Sequence, residues 1–512
     1  MVAVLAAVFL PAANAQLPDA GQSVRDVESN RLQLPAPVDM DSVQPLPAQP
    51  ASSEPGVDEE RVQVNDFSLE GNHLFGTVEL LALLDDLRGK ALNLPELNAA
   101  AGRISDYYHQ HGYVLARAYL PAQEVENGRI QIAVIEGRYG SIDLSNQSRV
   151  RDSVLRQPLE DLQPGAVVNG TELERSLLLL SDISGVQARG TLMRGQQPGT
   201  TDLKVEARSA PVLSGSVETD NFGDFYTGEY RLGGTLTLNS PLRLGDQLSL
   251  RALGSDRHQQ YYRMAYQVPI GWRGTRIGIA CSQTSYRLVR DFSELDAHGR
   301  ATIDSLFLSQ PLVRSRTFNL NAQLQYEDKA LHDDIDLFEQ RRRKDIHLWT
   351  ASLSGSNQDR WLGGGQSAFS LAYGHGRLGI GDPLERYFDR LTAGKEGSFD
   401  KLTASLVRLQ QLSGRFQLFA QLNAQWSSGN LDSAEQFTLG GPYGIRAFPL
   451  GAPRGTGDQG WQATVELRYS FAPAWQLSTF VDQGEVRLNK HPWTPEGNSN
   501  DIDLAPDLRT PI

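Results

Sequence analysis

The sequence predicts a membrane-spanning antiparallel β-barrel preceded by two small α+β units. Beyond Pro211, apolar and polar residues alternate strictly over strand-length stretches, as at residues 416–426 and 461–471. One face of each stretch is apolar and the other carries Gln, Asn, Arg and Glu, which suits a lipid-facing wall around a wet interior. Before Pro211, a strand–helix–helix–strand–strand order occurs twice in succession. A soluble β-sandwich is disfavoured, because its strands rarely keep so polar a second face across a whole domain.

The composition fits this class and excludes several others. The chain has 512 residues, of which 40% are hydrophobic, and a mean hydropathy of -0.37. A barrel wall permits this low value because only every second residue faces lipid. The net charge of -13 argues against a nucleic-acid partner. The single cysteine, Cys281, excludes an internal disulfide and a cysteine-based zinc site, and no metal or cofactor is expected.

The chain before the first α+β unit divides into three segments. Residues 1–15 are apolar and end in Ala-Asn-Ala, which predicts a signal peptide and export, although the usual basic start is missing. Residues 16–33 are mostly polar and predict a short helix. Residues 34–65 contain repeated prolines, which predict a stiff and extended linker. Such a linker would let the helix move independently of the α+β units.

The two α+β units are predicted at residues 66–139 and 140–210. In the first, a leucine stripe marks one helix, and Pro95 and Gly112 mark the start and end of a second. A hairpin follows around the turn Asn127-Gly128. The second unit repeats this order and closes with another hairpin.

Thirteen barrel strands are predicted between residues 211 and 490. They lie near residues 212–219, 228–238, 246–254, 260–269, 274–285, 301–311, 317–327, 343–355, 366–374, 400–412, 415–427, 460–471 and 476–486. Bacterial single-chain barrels have an even number of strands, so thirteen strands cannot close in the usual way. The proline-containing tail, residues 491–512, is expected to be irregular and to offer no further strand.

The long loop at residues 428–460 is the stretch most expected to carry a function, because loops of this length are usually functional or disordered. Candidate residues on this loop and on the two strands after it are Ile445, Arg446, Ala447, Phe448, Glu466, Phe480, Asp482 and Gly484. Alternation places Glu466, Phe480 and Asp482 on the interior face. If the loop folds inward, Arg446 can pair with Asp482 and also with Glu466. The residues alone leave open that Arg446 is a solvated loop charge and that Asp482 merely lines a pore.

Several motifs occur in a specific order. Asp220-Asn221-Phe222-Gly223, Tyr226-Thr227-Gly228 and Gly245-Asp246-Gln247-Leu248 open the barrel region, Gly444-Ile445-Arg446-Ala447-Phe448 lies in the long loop, and Phe480-Val481-Asp482-Gln483-Gly484 lies on the last predicted strand. Together they resemble the TpsB transporters of two-partner secretion, the exporters of haemolysins and filamentous haemagglutinins within the BamA-like outer-membrane superfamily. The loop resembles that family's V-R-G-F motif and the strand its F-x-D-x-G motif. The α+β units resemble its paired POTRA domains, and residues 16–33 its plug helix.

The resemblance implies a sixteen-strand barrel in the outer membrane of a Gram-negative bacterium, with its POTRA domains in the periplasm. It implies that these domains capture a large unfolded exoprotein, and that Arg446 pairs with Asp482. Outer-membrane lipid and the barrel-assembly machinery are the other implied partners. Ala447 stands where the motif usually has glycine, so a positive φ there would be strained. The last three strands of the family have no counterpart, so we expect either a fragment or an early end of the reading frame.

The sequence therefore predicts an outer-membrane pore that translocates an exoprotein to the cell surface or the medium. An extended exoprotein segment would add to the edge of a POTRA sheet, with Arg88, Arg103 and Arg138 as candidate contacts. No catalytic spacing or nucleotide motif is found, so no enzyme is expected. One alternative is a BamA-like assembly factor, which two POTRA-like units rather than a longer series disfavour. The other is a passive porin, which offers no reason for the α+β units.

Overall fold

The computed structural model describes residues 18–28, 32, 34, 61–441, 443–450, 455–472 and 474–493, and the backbone of residues 501–504. The chain divides into two compact units, one formed by residues 37–210 and the other by residues 1–36 together with 211–512. The expected signal peptide and most of the expected linker lie outside the described residues. None of the helices in the described part is long and apolar enough to cross a membrane.

The first helix, α1 (Ala20–Glu28), belongs to the same unit as the residues beyond 210. Asp19 precedes it and accepts a hydrogen bond of 2.9 Å from the backbone N–H of Gln22, which caps the first turn. Ala20, Val24 and Val27 are buried and recur at the spacing of one helix face. A helix is thus present within the segment 16–33 predicted for it.

The first α+β unit is a three-stranded sheet covered by helices. Its elements are β1 (Val62–Gln63), β2 (Asp66–Glu70), α2 (Thr77–Ala82), β3 (Ala91–Leu92), α3 (Leu94–Gln110), β4 (Arg117–Tyr119) and β5 (Arg129–Ile135). β5 is the central strand, parallel to β2 and antiparallel to β4. A capping box formed by Asn93 and Glu96 starts α3.

Residues 62–65, expected to end the linker, belong to this first unit instead. Val62 and Gln63 pair with Leu92 and Ala91, and Val64 is buried in the core of the unit. The expectation was wrong here, because the alternating valines give these residues an apolar face that packs on the core beneath β3.

The second α+β unit repeats the arrangement of the first. Its elements are β6 (Arg138–Gln147), α4 (Asp152–Arg156), α5 (Gly170–Ser181), β7 (Val186–Arg194) and β8 (Thr200–Ser209). β8 is central, parallel to β6 and antiparallel to β7, which is the order found for β2, β5 and β4. This repeated topology confirms the predicted internal repeat.

The remaining strands form one large antiparallel sheet. Its long strands are β9 (Leu213–Asp220), β10 (Arg231–Asn239), β11 (Gln247–Ser255), β12 (Gln260–Ile270), β13 (Thr275–Arg287), β14 (Ala297–Arg314), β15 (Phe318–Ile335), β16 (Gln340–Asp359), β17 (Gly365–Ile380), β18 (Gly397–Ser413), β19 (Phe416–Ser427), β22 (Gln459–Ala472) and β23 (Trp475–Arg487). Consecutive members are hydrogen-bonded neighbours. They correspond to the thirteen predicted strands. The helix α6 (Pro383–Leu391) joins β17 to β18, and the short pair β20 (Phe437–Thr438) and β21 (Thr456–Gly457) lies in the loop between β19 and β22.

The expectation that the tail forms no further strand was wrong for four residues. β24 (Asp501–Leu504) pairs antiparallel with β23, so that Leu504 lies opposite Gly484. Four residues are too few for alternation to mark a strand in the sequence, but β23 offers unpaired backbone groups that they can bind. Among the described strands, β24 and β9 lie at the two edges of the sheet.

The two faces of the large sheet differ as the alternation predicted. Its outer face carries exposed apolar side chains, including Leu306, Leu324 and Trp349. At intervening positions of the same strands, Ile303 and Leu331 are buried against elements on the inner face. Two POTRA-like units and this barrel sheet together give the predicted fold class.

Candidate functional site

The loop between β19 and β22 brings Arg446 to carboxylates on the two following strands. Its Nη2 lies 2.7 Å from Glu466 Oε2 on β22, and its Nη1 lies 3.6 Å from Asp482 Oδ1 on β23. The backbone N–H of Arg446 also donates to Asp482 Oδ2 at 3.2 Å. The guanidinium carbon lies 3.7 Å from the centroid of the Phe480 ring, a cation–π geometry. Arg446 therefore contacts both acids, and its closer side-chain partner is Glu466.

Glu466 is shared between two arginines. Arg468 Nε, on the same strand, lies 2.9 Å from Glu466 Oε1, while Arg446 holds the other oxygen. The Arg468 guanidinium also stands 4.6 Å from the centroid of the Phe419 ring. The carboxylate is only 11% exposed, so its two cationic neighbours replace most of its hydration.

An apolar cluster beside the arginine holds the loop against β23. Leu439, Ile445 and Val486 are buried together, with Phe448 packed against them. A Cβ added to Gly484 would lie 2.7 Å from Ile445 Cδ1 and from the Trp461 carbonyl oxygen, so only glycine fits there without displacing the loop.

Ala447 creates no backbone strain in this structure. It is exposed and is absent from the non-glycine residues that have positive φ in the described part of the chain. The alanine at the usual glycine position of the motif is therefore tolerated here.

A second set of contacts, between acids of the loop and lysines of the strands, fixes the base of the same loop. The sequence did not reveal these contacts. Glu435 is 1% exposed and accepts Lys329 Nζ of β15 at 2.8 Å and Lys401 Nζ of β18 at 2.5 Å. Asp432 is 2% exposed and accepts Lys344 Nζ of β16 at 2.8 Å. We call these five residues the loop anchor. The available signal was the presence of lysines at inward positions of three strands and of two acids in one long loop.

Helix α1 lies on the inner face of the sheet and contacts the loop anchor. Its first backbone N–H, at Ala20, donates to Asp333 Oδ1 of β15 at 2.8 Å. Arg25 Nη1 donates to the carbonyl of Ser433, between the two anchoring acids, at 2.7 Å. At the other end, Glu28 accepts Tyr261 Oη of β12 at 3.0 Å. The helix therefore connects separate strands of the wall with the base of the loop.

The three arginines suggested for the POTRA-like units all have intramolecular partners. Arg88 Nη1 lies 3.1 Å from Asp85, and Arg138 Nη2 lies 3.3 Å from Glu136. Arg103 binds both oxygens of Asp86, at 2.6 and 3.3 Å, and this hydrogen bonding lowers the pKa of the Asp86 carboxyl. Binding another protein through these arginines would require an exchange of partners.

Paired POTRA-like units, a large antiparallel sheet, and a helix and loop on its inner face define the class of POTRA-plus-barrel transporters. The family model described as "Haemolysin secretion/activation protein ShlB/FhaC/HecB" matches residues 199–498, and "POTRA domain, ShlB-type" matches residues 62–137. The chain belongs to the haemolysin secretion/activation family, the TpsB transporters.

Two relatives show the range of proteins to which the chain is similar. It is 27% identical over 425 residues to the heme/hemopexin transporter protein HuxB of Haemophilus influenzae (strain 86-028NP), covering 82% of this chain and 74% of HuxB. It is 27% identical over 418 residues to the outer membrane transporter CdiB of Dickeya dadantii (strain 3937), covering 79% of this chain and 72% of CdiB.

Two solved structures share the fold. CdiB from Escherichia coli superposes with a TM-score of 0.67 at 20% identity, covering 92% of this chain and 89% of that one. CdiB from Acinetobacter baumannii gives a TM-score of 0.61 at 18% identity, covering 92% and 90%. The predictions of the TpsB family, of an outer-membrane location with periplasmic POTRA domains, and of two-partner secretion of an exoprotein are confirmed.

Proposed function

We propose that this chain captures an unfolded exoprotein on its POTRA units and passes it along the inner face of the barrel. During passage α1 moves away, whereas the loop that carries Arg446 stays in place. The observation that carries the proposal is the pairing of Arg446 with Glu466 and Asp482. A cation held by two strand carboxylates and an aromatic ring keeps the loop inside the barrel. Such a loop can shape the path of a polypeptide without closing it permanently.

Capture would use the edge of the second POTRA sheet. β7 is nine residues long and pairs with β8 alone among the described strands. On the opposite edge, β6 is partly covered by a bridge between Arg138 and Val167. An extended exoprotein segment could add to β7 through main-chain hydrogen bonds, which demand little of its sequence. Arg88, Arg103 and Arg138 would be secondary contacts, because each must first release an acid or a carbonyl.

Passage would require α1 to leave its place. The helix is held by hydrogen bonds to the wall and by two contacts with Ser433 of the loop base, one from Arg25 and one from Asp19, whereas the loop keeps its own lysine contacts. Departure of the helix would thus open the interior and leave the loop anchored. Because the sequence holds no nucleotide motif, folding of the exoprotein outside the cell would bias its movement outward.

The outer face of the sheet fits two further partners. Exposed residues such as Leu324 and Trp349 would face outer-membrane lipid. Insertion of so large a sheet would depend on the barrel-assembly machinery, because its strands expose unpaired backbone groups until they are joined.

The test is co-expression with a candidate large exoprotein, followed by assay of the culture medium. Deletion of residues 67–207 should abolish secretion. Arg446→Ala should reduce it several-fold, and Arg446→Lys should restore little, because an ammonium lacks the guanidinium's fork. The matched control is Arg415→Ala, in the exposed turn between β18 and β19. Undiminished export by both the deletion and the Arg446→Ala variant would refute the proposal.

A further inference from the structure

A basic groove lies on the outer surface of the sheet, where β13, β14 and β15 extend beyond the apolar wall. Its volume is about 810 Å³. The basic and acidic side chains that line it are His258, Arg287, His298, Arg300, His332 and Asp334. Several of these groups have no function in the transport proposed above, because they face away from the interior.

The outward direction follows from the inward neighbours on the same strands. Asp333 binds α1 on the inner face, so the adjacent His332 on β15 points outward. Lys344 binds Asp432 on the inner face, so Arg343 on β16 also points outward. Both are exposed.

Three of these outward residues face one another across neighbouring strands. Arg300 of β14 is paired with His332 of β15, which is paired with Arg343 of β16. Directly paired side chains on one face have Cβ atoms about 4.5–5.5 Å apart. Other basic residues of the groove have acidic neighbours, with Arg287 at 3.0 Å from Asp296 and His298 at 3.9 Å from Asp334. Within the described residues, no ion pair joins the row of Arg300, His332 and Arg343 to a carboxylate.

Such a row is unfavourable without an anion. Two guanidiniums lie two strands apart, roughly 10 Å, on one face with a histidine between them, and like charges at this distance repel each other. An external anion would compensate both charges, since guanidinium forks match phosphate and carboxylate oxygens. His332 can donate an N–H in either protonation state.

The row lies near the ends of its strands, beyond an aromatic pair on the same face. Its three members each lie six residues along their strands from Leu306, Tyr326 and Trp349, which form a directly paired row of their own. The rings of Tyr326 and Trp349 are in contact, with their centroids 4.9 Å apart and their planes at 46°, as expected for an aromatic girdle at the membrane interface. Six residues span roughly 20 Å along a strand, or about 15 Å along the membrane normal for the usual strand tilt. At that height the outer leaflet presents the sugars of its glycolipid.

We propose that this groove, together with Arg343 on the neighbouring strand, binds the phosphorylated and carboxylated core saccharide of lipopolysaccharide through Arg300, His332 and Arg343. Ion pairs would then attach the outer face of the barrel to the lipopolysaccharide of the outer leaflet. This inference goes beyond secretion and does not depend on the exoprotein. It requires only that the outer face meets the outer leaflet.

The test uses the full-length protein, purified in detergent and freed of co-purifying lipid. Its affinity for core-bearing rough lipopolysaccharide is measured by microscale thermophoresis and compared with that of the triple variant Arg300→Gln, His332→Gln, Arg343→Gln. The matched control is Arg273→Gln, Arg360→Gln, Arg415→Gln, three exposed arginines in turns at the opposite ends of the strands. Heat-modifiable migration on gels verifies that every variant is folded.

The groove variant should bind at least about ten-fold more weakly, because it loses several charge-assisted hydrogen bonds, while the control should bind as the wild type does. Addition of this lipopolysaccharide should raise the Tm of the wild type and of the control but not of the groove variant. Equal affinities for all three proteins, or equal losses in both variants, would overturn the proposal. So would full, variant-sensitive binding of lipid A without its core sugars, or of inorganic phosphate.

Discussion

The Nζ of Lys329 on β15 lies 2.8 Å from Oε1 of Glu435, at the base of the loop that carries Arg446. Lys401 of β18 holds the second oxygen of the same carboxylate, which is 1% exposed. A buried acid between two cations has no water to replace either partner. This side chain is therefore a main attachment of the loop base to the inner face, beside the pair of Asp432 and Lys344.

Replacement of Glu435 by glutamine should strongly destabilise the barrel. Lys401 would lose its carboxylate partner and Lys329 would keep Glu327 at 3.2 Å but lose Glu435, and removal of one member of a buried charged group costs about 3–5 kcal/mol. Thermal unfolding of the purified protein, followed by heat-modifiable migration, measures the loss. The control is Glu396→Gln, which removes the two ion pairs that Glu396 makes with Arg386 and Arg390 after α6 and should cost no more than about 1 kcal/mol for each pair. Equal losses in the two variants would contradict the structural role given to Glu435.

The sequence predicted the fold well because alternation is a local signal. Period-two patterns located the thirteen long strands and the inward face that carries Asp482 and Glu466. They could not say how deep a loop folds or which carboxylate its arginine meets first, because both depend on contacts between distant parts of the chain. Lys329 and Glu435 are 106 residues apart, and no local pattern relates them. Four-residue β24 was missed because it is too short to show a period.

The two acids beside Arg446 should differ in importance. Glu466 takes the shorter contact from Arg446, 2.7 Å against 3.6 Å for Asp482, and it also holds Arg468. Glu466→Gln should therefore weaken the loop by about 1.5–3 kcal/mol, the usual worth of a hydrogen bond to a charged group. Asp482→Asn should cost less, because an amide oxygen can still accept the backbone N–H of Arg446. Cleavage by trypsin at Arg446, measured as a rate on the folded protein, reports release of the loop.

A double variant separates this pairing from a general loss of stability. If Glu466 acts through Arg446, adding Glu466→Gln to Arg446→Gln should cost less than Glu466→Gln costs alone. Because trypsin does not cut at glutamine, this cycle is read by hydrogen exchange of the loop. Strictly additive effects, or a greater loss in Asp482→Asn than in Glu466→Gln, would contradict the distances.

The second POTRA unit contains a tyrosine whose hydroxyl is unsatisfied. Tyr139 is 3% exposed, and its hydroxyl has no hydrogen-bond partner among the described residues. Burial, with a smaller contribution from the charge of Glu172, raises the pKa of Tyr139 to about 12. The neutral phenol therefore contributes stability that is fully present below pH ~10, the pKa of the unfolded chain, and is lost as the pH rises through about 12.

Replacement of Tyr139 by phenylalanine should remove the part of the stability loss at alkaline pH that is caused by ionisation of Tyr139. At pH ~8 the variant should be as stable as the wild type or up to about 1–3 kcal/mol more stable, because no buried hydroxyl is left unpaired. Between pH ~10 and 12 the wild type should lose about 2–3 kcal/mol more than the variant. Urea unfolding of residues 62–209 in the full-length protein, followed by pulse proteolysis, measures both. The neighbouring Ser141→Ala serves as a control, and parallel pH profiles for wild type and Tyr139→Phe would contradict the assignment.

Helix α1 packs against the loop base so closely that there is no room for a side chain at Gly21. A Cβ there would lie 2.5 Å from Ser433 Oγ and 2.7 Å from the backbone nitrogen of Ala434, both at the loop base. Gly21→Ala should therefore displace the helix from the inner face. In planar bilayers we expect steady conductance to rise several-fold, and in cells a matching rise in sensitivity to large antibiotics.

A rise in conductance would show that α1 has lost its contact with the loop base, not that the helix itself has unfolded. Alanine favours a helix over glycine by about 1 kcal/mol, so the substitution strengthens α1 itself while blocking its docking. Gln22→Ala, at the half-buried next residue, provides the matched control and should leave the conductance as it is in the wild type. If Gly21→Ala conducts no better than the wild type, the contact between α1 and the loop base does not hold the helix in place.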